Sequence, residues 1–401
     1  MKTLGAPLML LLVFISAIGP FALNGVLPAT SAIMLELSTR YEVAQLVLTV
    51  FLLANLLSQL IMGPAADKYG RRPVMLLNLG IFVCGSVICA SATSIEWLLV
   101  GRFIQGFGGA VCVFLPRTIV RDVYSQGRAA SVIGYMTTAM MIAPLFGPAA
   151  GGWVTDTFSW RFMYVGLSVL GFTLLISAYR FQPETGMHTR SLTADDSVSS
   201  GKKTFFHSSA LLLKDAGFIA CISMQAGAVG VYYTFLSGAP YVAMESRGLS
   251  ASDYGIWFVM AAIGYLSGNF VAGRFSERVG VHRMVLLGFA PFMSGICLFW
   301  LLSQLEHPLG LFFPMFLVTL SNGMSLPSMI TIAMSIRPEL AASASGLAGS
   351  VQTACGVILS VAVGYALPFN DVWLYVIITA SALLSLIGLY LTLRRRTAVP
   401  G

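Results

Sequence analysis

Long apolar runs separated by short polar loops fill the chain, and the pattern repeats twelve times. A helix needs about 20 mostly apolar residues to cross the roughly 30 Å hydrocarbon core of a bilayer. Runs of that length occupy 7–28, 44–63, 74–92, 97–118, 130–152, 161–180, 216–239, 253–273, 283–303, 308–334, 341–367 and 372–393. The pattern therefore predicts an all-α integral membrane protein with twelve transmembrane helices.

One polar stretch is much longer than the other loops and divides the apolar runs into six and six. It includes Ser-Val-Ser-Ser-Gly-Lys-Lys and a pair of aspartates, and such a segment cannot bury apolar area. We expect an N-terminal six-helix bundle over 1–182, a cytoplasmic linker over 183–214 and a C-terminal six-helix bundle over 215–401.

Composition and charge narrow the class of protein. Of 401 residues, 57% are hydrophobic and 10% are charged, whereas soluble domains carry roughly a quarter charged residues. The six cysteines all lie in apolar runs, so a disulfide scaffold is not expected, and neither a metal, a cofactor nor a nucleic acid is predicted as a partner. Most Lys and Arg residues fall in the loops that are cytoplasmic when both termini are cytoplasmic. We expect a monomeric, multi-pass protein of the bacterial inner membrane.

The loops after the second and eighth runs repeat a pattern of glycine, acid and glycine. Residues 63–72 read GPAADKYGRR, and residues 273–283 read GRFSERVGVHR. We expect the glycines to allow tight turns, the acids to accept hydrogen bonds from a helix N-terminus, and the arginines to face anionic lipid headgroups. The repeat indicates a duplicated fold with a cytoplasmic gate formed by Gly63, Asp67, Gly70, Arg71, Arg72, Arg121, Asp122 and Glu277.

Three motifs together make the chain resemble the major facilitator superfamily. They are the 63–72 loop, RFIQGFGG at 102–109 in the fourth run, and APLFGPAAGGW at 143–153 in the fifth. The last motif is similar to that of the twelve-spanner drug:proton antiporters. Residues 235–240 and 343–349 resemble the bicyclomycin and chloramphenicol resistance exporters. The resemblance implies that Asp67 latches an inner gate, that transport is by alternating access, and that the direction is export.

The fifth run carries a candidate conformational motif. Its prolines interrupt the helical hydrogen-bond ladder and its glycines allow close helix approach. The motif consists of Pro144, Gly147, Pro148, Gly151 and Gly152.

Charged and amide side chains inside the runs predict the chemistry of a central cavity. On a helical wheel Gln105 and Arg117 flank the stripe of Arg102 by about 60° on either side. An arginine inside a span needs a wet cavity or a partner, although Arg102 can also snorkel to the outer surface and Arg117 can reach the cytoplasmic headgroups.

All sixteen acids fall in loops or at helix ends. The resembled exporters commonly carry a carboxylate in the first span, four residues before a proline. Asn24 stands there in this chain, before Pro28, and asparagine cannot take up a proton near neutral pH. Proton coupling at this position is therefore in question, and we expect Asn24 to hydrogen-bond to Arg102. Such a cavity favours neutral or anionic solutes.

Further polar and aromatic residues inside the runs are candidate substrate contacts, although each alone is more often a helix–helix contact. They are Asn55, Tyr135, Gln225, Tyr232, Tyr233, Trp257, Asn322 and Gln352.

The function predicted is secondary active transport of a small organic solute, most simply export of drugs or metabolites, with the lipid bilayer and protons as further partners. One alternative is transport of an anionic metabolite, such as a carboxylate siderophore, with proton coupling weak or absent. Another is a non-transporting receptor or scaffold. An enzyme is not expected because paired carboxylates, a His cluster or a nucleophile with a base do not occur together. Primary active transport is excluded because the chain lacks a Walker A phosphate loop.

Overall fold

A computed structural model describes residues 6–124, 142–185, 211–337 and 340–398, together with the single positions 132, 136 and 140. Within these residues the regular structure is helical. The helices of the first half are α1 Ala6–Asn24, a 3-10 turn Leu27–Ala29, α2 Thr30–Glu36, α3 Tyr41–Ala44, α4 Leu46–Tyr69, α5 Arg71–Ala90, α6 Ile95–Val123, α7 Ile142–Thr157 and α8 Trp160–Phe181. Those of the second half are α9 Ala216–Pro240, a π-helical turn Tyr241–Ser246, α10 Ala251–Val279, α11 Val281–Leu301, α12 Leu309–Ile336, α13 Ala341–Ala366 and α14 Val372–Ala398.

Eleven helices in the described part of the chain are long and apolar enough to cross a membrane. The twelfth expected span, the fifth in order, is described as a continuous helix only from Ile142 to Thr157. The predicted all-helical membrane architecture is thus confirmed. Several helices extend past the predicted spans, because polar residues at a helix end can remain helical outside the hydrocarbon. The linker predicted over 183–214 falls largely outside the described residues.

The first span is irregular. Pro20 lies inside α1, the helix ends at Asn24, and a 3-10 turn with Pro28 leads into α2. Proline donates no backbone hydrogen bond, so the ladder is weakened where these residues lie. The whole segment Pro7–Glu36 is nevertheless apolar enough to span.

The chain folds as two compact units. The first comprises 1–194 together with 249–259, and the second comprises 195–248 and 260–401. α10 therefore begins in the first unit and continues into the second. In the first unit the core is apolar and includes the fully buried rings of Trp160, Tyr164, Phe51 and Phe82.

Helices within a unit approach closely at glycines. A Cβ placed on Gly108 of α6 would lie 2.4 Å from the backbone oxygen of Asn78 on α5. In the second unit a Cβ on Gly227 of α9 would lie 2.4 Å from the backbone nitrogen of Ser385 on α14. Small residues at these positions let the backbones touch, which is the usual way membrane helices pack.

Candidate functional site

Arg102 lies inside the first unit and is fully buried. Its Nε donates to the Val47 carbonyl oxygen of α4 at 3.0 Å, and its Nη1 donates to the Ala22 carbonyl oxygen of α1 at 3.2 Å. The guanidinium also lies over the Phe51 ring, with 4.3 Å to the centroid. Arg102 therefore joins α6 to α1 and α4, and it does so without a carboxylate among its partners in the described residues.

Gln105 continues this network one turn along α6. Its Oε1 accepts from Arg102 Nη1 at 2.6 Å, and its Nε2 donates to Ser86 Oγ on α5 at 2.9 Å. Ser86 in turn donates to the Phe82 carbonyl oxygen at 2.8 Å. Arg102 and Gln105, both predicted to line a central cavity, belong to a hydrogen-bonded chain in the helical interior.

Within the described residues, Arg102 makes no hydrogen bond to Asn24, contrary to expectation. Asn24 Nδ2 donates instead to the Pro20 carbonyl oxygen at 2.8 Å. The physical reason is local: Asn24 ends α1, and the carbonyl one turn back lies within reach of its side chain. Asn24 remains buried, with 4% of its surface exposed.

The fifth-helix motif packs against this same break in the first span. A Cβ on Gly151 would lie 1.8 Å from the Gly25 carbonyl oxygen, and a Cβ on Gly147 would lie 3.3 Å from Asn24 Cβ. Gly152 faces a different neighbour, because its Cβ would lie 2.1 Å from the oxygen of Ala251, which belongs to the first unit. Pro148 is buried inside α7, and the Pro144 side chain lies outside the described part.

Arg117 is partly buried, and its Nη2 lies 3.4 Å from the Met140 sulfur. It therefore contacts a residue of the predicted fifth span. The Arg121 side chain and all of Tyr135, two further predicted site residues, lie outside the described part.

At the predicted cytoplasmic end, Arg71 does not face lipid headgroups. It is 7% exposed, and its Nε donates to Asp122 Oδ2 at 3.1 Å. Arg72 Nη2 donates to the Tyr179 carbonyl oxygen at 2.6 Å, and its guanidinium lies over the Tyr179 ring. The expectation that Arg71 faces lipid headgroups is wrong because its guanidinium is buried against a carboxylate. For the partly buried Arg72 the same expectation stays a prediction.

The carboxylate that binds the N-terminus of α5 is Glu184. Its oxygens accept from the backbone nitrogens of Arg71 at 2.8 Å and Arg72 at 3.1 Å. Sequence reasoning assigned the acid role to Asp67, whose side chain lies outside the described residues. The only sequence signal for Glu184 was an acid directly after the sixth apolar run.

The turns of the repeat lie at its second glycine, not its first. Gly70 has φ +104° and Gly280 has φ +86°, whereas Gly63 and Gly273 lie inside α4 and α10. The tight turn expected of the repeat is therefore present at the second glycine, while at the first glycine the helices continue for about two more turns. Glu277 is exposed and has no ion pair within the described residues.

In the second unit three of the predicted contact residues lie on or bond to α9. Gln352 Nε2 of α13 donates to Gln225 Oε1 of α9 at 3.0 Å. Asn322 Nδ2 of α12 donates to the Ala228 carbonyl oxygen of α9 at 3.3 Å. These contacts join α9, α12 and α13.

The remaining candidate contacts are more dispersed. The rings of Tyr232 and Tyr233 are adjacent in the second unit, with 5.9 Å between centroids. Trp257 belongs to the first unit. Asn55 Nδ2 donates within its own helix to the Phe51 carbonyl oxygen at 3.3 Å.

The described acids lie at helix ends or in the connections between helices, and none of them is buried. Two of them make contacts that the sequence did not indicate. Glu36, at the end of α2, accepts from Trp160 Nε1 at 2.6 Å and also pairs with Arg161. Asp156 Oδ2 accepts from the Ser252 backbone nitrogen at 2.8 Å, within the first unit.

A model of the Major Facilitator Superfamily matches residues 9–360. The chain belongs to this superfamily. As a superfamily member it is a multi-pass membrane transporter for small molecules and not an enzyme.

Relatives and a solved structure agree with this membership. The chain is 27% identical over 351 residues to the bicyclomycin resistance protein homolog of Haemophilus influenzae, covering 86% of this chain and 85% of that protein. It is 28% identical over 358 residues to multidrug resistance protein D of Escherichia coli, covering 86% and 85%. The fold is similar to that of a peptide transporter, POT, in complex with sulfate, with a TM-score of 0.78 at 14% identity, covering 96% of this chain and 94% of that one.

Proposed function

We propose that this superfamily member exports a small, neutral or anionic, drug-like solute across the bacterial inner membrane by alternating access. Similarity to two proteins named for drug resistance, along about 85% of their lengths, supports export. It favours export over uptake of a carboxylate siderophore. The protein acts as a monomer with both termini in the cytoplasm.

The observation that supports this solute class is that the buried charges in the described residues are cationic and none is an acid. The buried charged side chains in the described residues are Arg71 and Arg102, both cationic. Arg71 pairs with Asp122, whereas Arg102 has no carboxylate partner in the described residues. The charge of Arg102 therefore favours anions or neutral molecules over cations on a route beside it. Lipophilic cations are therefore poor solutes for this protein.

The direct test uses purified protein in proteoliposomes with bicyclomycin and tetraphenylphosphonium as probes. We expect saturable bicyclomycin transport and no transport of the cation. Tight binding or transport of tetraphenylphosphonium, with none of bicyclomycin, would contradict the proposed solute class.

Proton coupling in this protein does not pass through the first span, because Asn24 occupies the position where a titratable carboxylate is needed. Asn24→Asp adds a titratable group at a buried position beside Gly147. We expect the wild-type flux to follow the solute gradient alone, and the variant flux to respond to an imposed pH gradient. One proton per solute supports about tenfold accumulation for each pH unit.

Asn55→Asp on α4 is the matched control, since it adds the same carboxyl outside the break in the first span. We expect it to leave the response to the pH gradient unchanged. A wild-type protein that already accumulates solute against its gradient when a pH gradient is imposed would show that another group couples the proton.

A further inference from the structure

Three amide side chains in the second unit lie on or bond to one turn of α9. Gln352 bonds to the Gln225 side chain, and Asn322 bonds to the Ala228 carbonyl oxygen. Gln225 and Ala228 are three residues apart, which is a rise of about 4.5 Å along a helix. We refer to Gln225, Asn322 and Gln352 as the amide cluster.

The amide cluster has one open donor and one open acceptor. Gln225 Nε2 and Asn322 Oδ1 are buried and have no hydrogen-bond partner in the described residues. Gln225 is 0% exposed and Asn322 is 3% exposed. Because the Ala228 carbonyl can only accept, it fixes the nitrogen of Asn322 toward α9 and leaves the oxygen as the open acceptor.

Buried polar groups without partners are rare and call for an explanation such as a ligand or a water. Here one unpartnered atom belongs to Gln225 of α9, and the other belongs to a side chain bonded to α9 three residues further on, at Ala228. Their opposite hydrogen-bonding character is complementary to a group that carries an acceptor and a donor side by side. A carboxamide or lactam has this pattern in neutral form.

Two aromatic residues lie one to two turns further along the helices that carry the amide cluster. Tyr232 follows Gln225 by seven residues on α9, so the two side chains project within about 20° of each other around the helix. The Tyr233 ring lies against Gly356 of α13, where a Cβ would be 2.9 Å from the ring. Gly356 is one turn beyond Gln352. Aromatic walls with a few placed polar atoms are typical of small-molecule sites.

We propose that the amide cluster binds an uncharged carboxamide or lactam group of the transported solute. The solute carbonyl accepts from Gln225 Nε2, and the solute N–H donates to Asn322 Oδ1. A carboxylate has no proton for Asn322, and an ammonium has no acceptor for Gln225, so the site selects neutral solutes. This inference rests on the proposed function and narrows its solute class.

The test compares bicyclomycin, whose piperazinedione ring contains two lactams, with its derivative methylated at both lactam nitrogens, which keeps both carbonyls and loses both N–H groups. Initial transport rates are measured with the full-length protein in proteoliposomes. We expect wild type to prefer the N–H solute by about tenfold or more, since a missing partner leaves Asn322 Oδ1 unpaired. Asn322→Leu brings the preference to about one, mainly by slowing transport of the N–H solute.

Two further variants separate recognition from structure. Gln225→Leu removes the open donor, which both solutes use, and we expect it to slow both about equally. Asn78→Leu is the matched control, because Asn78 in the first unit also has a buried, unpartnered Oδ1 but bonds within its own helix to the Val74 carbonyl oxygen. We expect Asn78→Leu to keep the wild-type preference, even if it unfolds at a lower temperature.

Equal wild-type rates for the two solutes, or an unchanged preference in Asn322→Leu, would overturn the inference; a bound water then accounts for the open atoms. If wild type transports neither solute, the proposed function fails for bicyclomycin, and the inference is decided by binding. The minimal lactam probe cyclo(Gly-Gly) must then raise the unfolding temperature of wild type but not of Asn322→Leu, and the absence of that difference rejects the site.

Discussion

Arg102 shows how a single charged side chain can be held inside a membrane protein without an acid. Its donors reach two backbone carbonyl oxygens and one amide, and two aromatic rings lie next to its guanidinium. A planar fork of N–H groups suits such a site, whereas a lysine ammonium presents its donors from one point. The arginine identity, and not just the positive charge, is therefore what the site requires.

We expect Arg102→Ala to lower the free energy of unfolding by about 3 kcal/mol, because it creates a cavity and removes the partners of Val47, Ala22 and Gln105. Arg102→Lys should recover only a part of that loss. Thermal unfolding of the purified protein in detergent measures the difference. Arg180→Ala, at an exposed position on α8, is the control; a loss as large for Arg180 as for Arg102 would show that the network does not stabilise the fold.

Sequence reasoning located Arg102 and Gln105 on one helix but did not identify their other partners. The spacing along α6 fixes which side chains are neighbours on that helix, and it says nothing of the backbone oxygens on α1 and α4. The Asn24 prediction failed for a related reason: two residues at similar depth can each find a nearer acceptor. Gln225, Asn322 and Gln352 were recognised one by one, but their convergence depends on the packing of three helices.

At the scale of elements, the start of α5 illustrates how a helix end is built. Gly70 adopts a positive φ that lets the chain reverse between α4 and α5. The N-terminal amides then meet the carboxylate of Glu184, 113 positions away from Arg71. The repeated glycines predicted the turn. The role of Glu184 could not be predicted, because no local sequence pattern indicates which loop folds back to the N-terminus of α5.

Alanine substitutions at three glycines of the repeat separate the contributions of contact and backbone conformation. In Gly70→Ala the Cβ would lie 2.6 Å from Glu184 Oε2, in addition to the positive φ. Gly280→Ala meets only the φ penalty, since nothing lies within 4 Å. We expect losses of unfolding free energy of about 3 and about 1 kcal/mol respectively.

Gly63→Ala provides the reference, because Gly63 lies inside α4 with nothing within 4 Å of a Cβ. Alanine is the better helix former, so we expect a gain of up to about 1 kcal/mol. The three unfolding temperatures should therefore rank Gly63→Ala, Gly280→Ala and Gly70→Ala from highest to lowest, and any other order contradicts the assignment of the turns.

On the scale of the whole molecule, each unit has a side-chain contact at its predicted outer end, and the two contacts differ in chemistry. In the first unit Glu36 binds Trp160 and Arg161, which begin α8. In the second unit Arg247 donates to the Tyr375 hydroxyl at 3.1 Å, near the start of α14. The loop repeat predicted a duplicated fold. It did not predict these contacts, because different residue types form them in the two halves.

The proposed orientation can be measured through reporter fusions. With both termini in the cytoplasm, alkaline phosphatase fused after Thr93, between α5 and α6, should be active, and fused after Gly401 it should be inactive. Green fluorescent protein should give the opposite pattern, because it folds in the cytoplasm. Reversed activities at the two sites would require the opposite topology, against the distribution of Lys and Arg.

The dependence of Arg102 on α1 and α4 also has a consequence for biosynthesis. An arginine costs up to roughly 2.5–3.5 kcal/mol to insert in an isolated helix, the value that applies at the helix centre. Here the oxygens that compensate it belong to segments made earlier on the ribosome, so they are already in the bilayer when α6 leaves the translocon. A circular permutant that synthesises α6 first would have to insert this cation before its partners exist, and its yield in the membrane should fall accordingly.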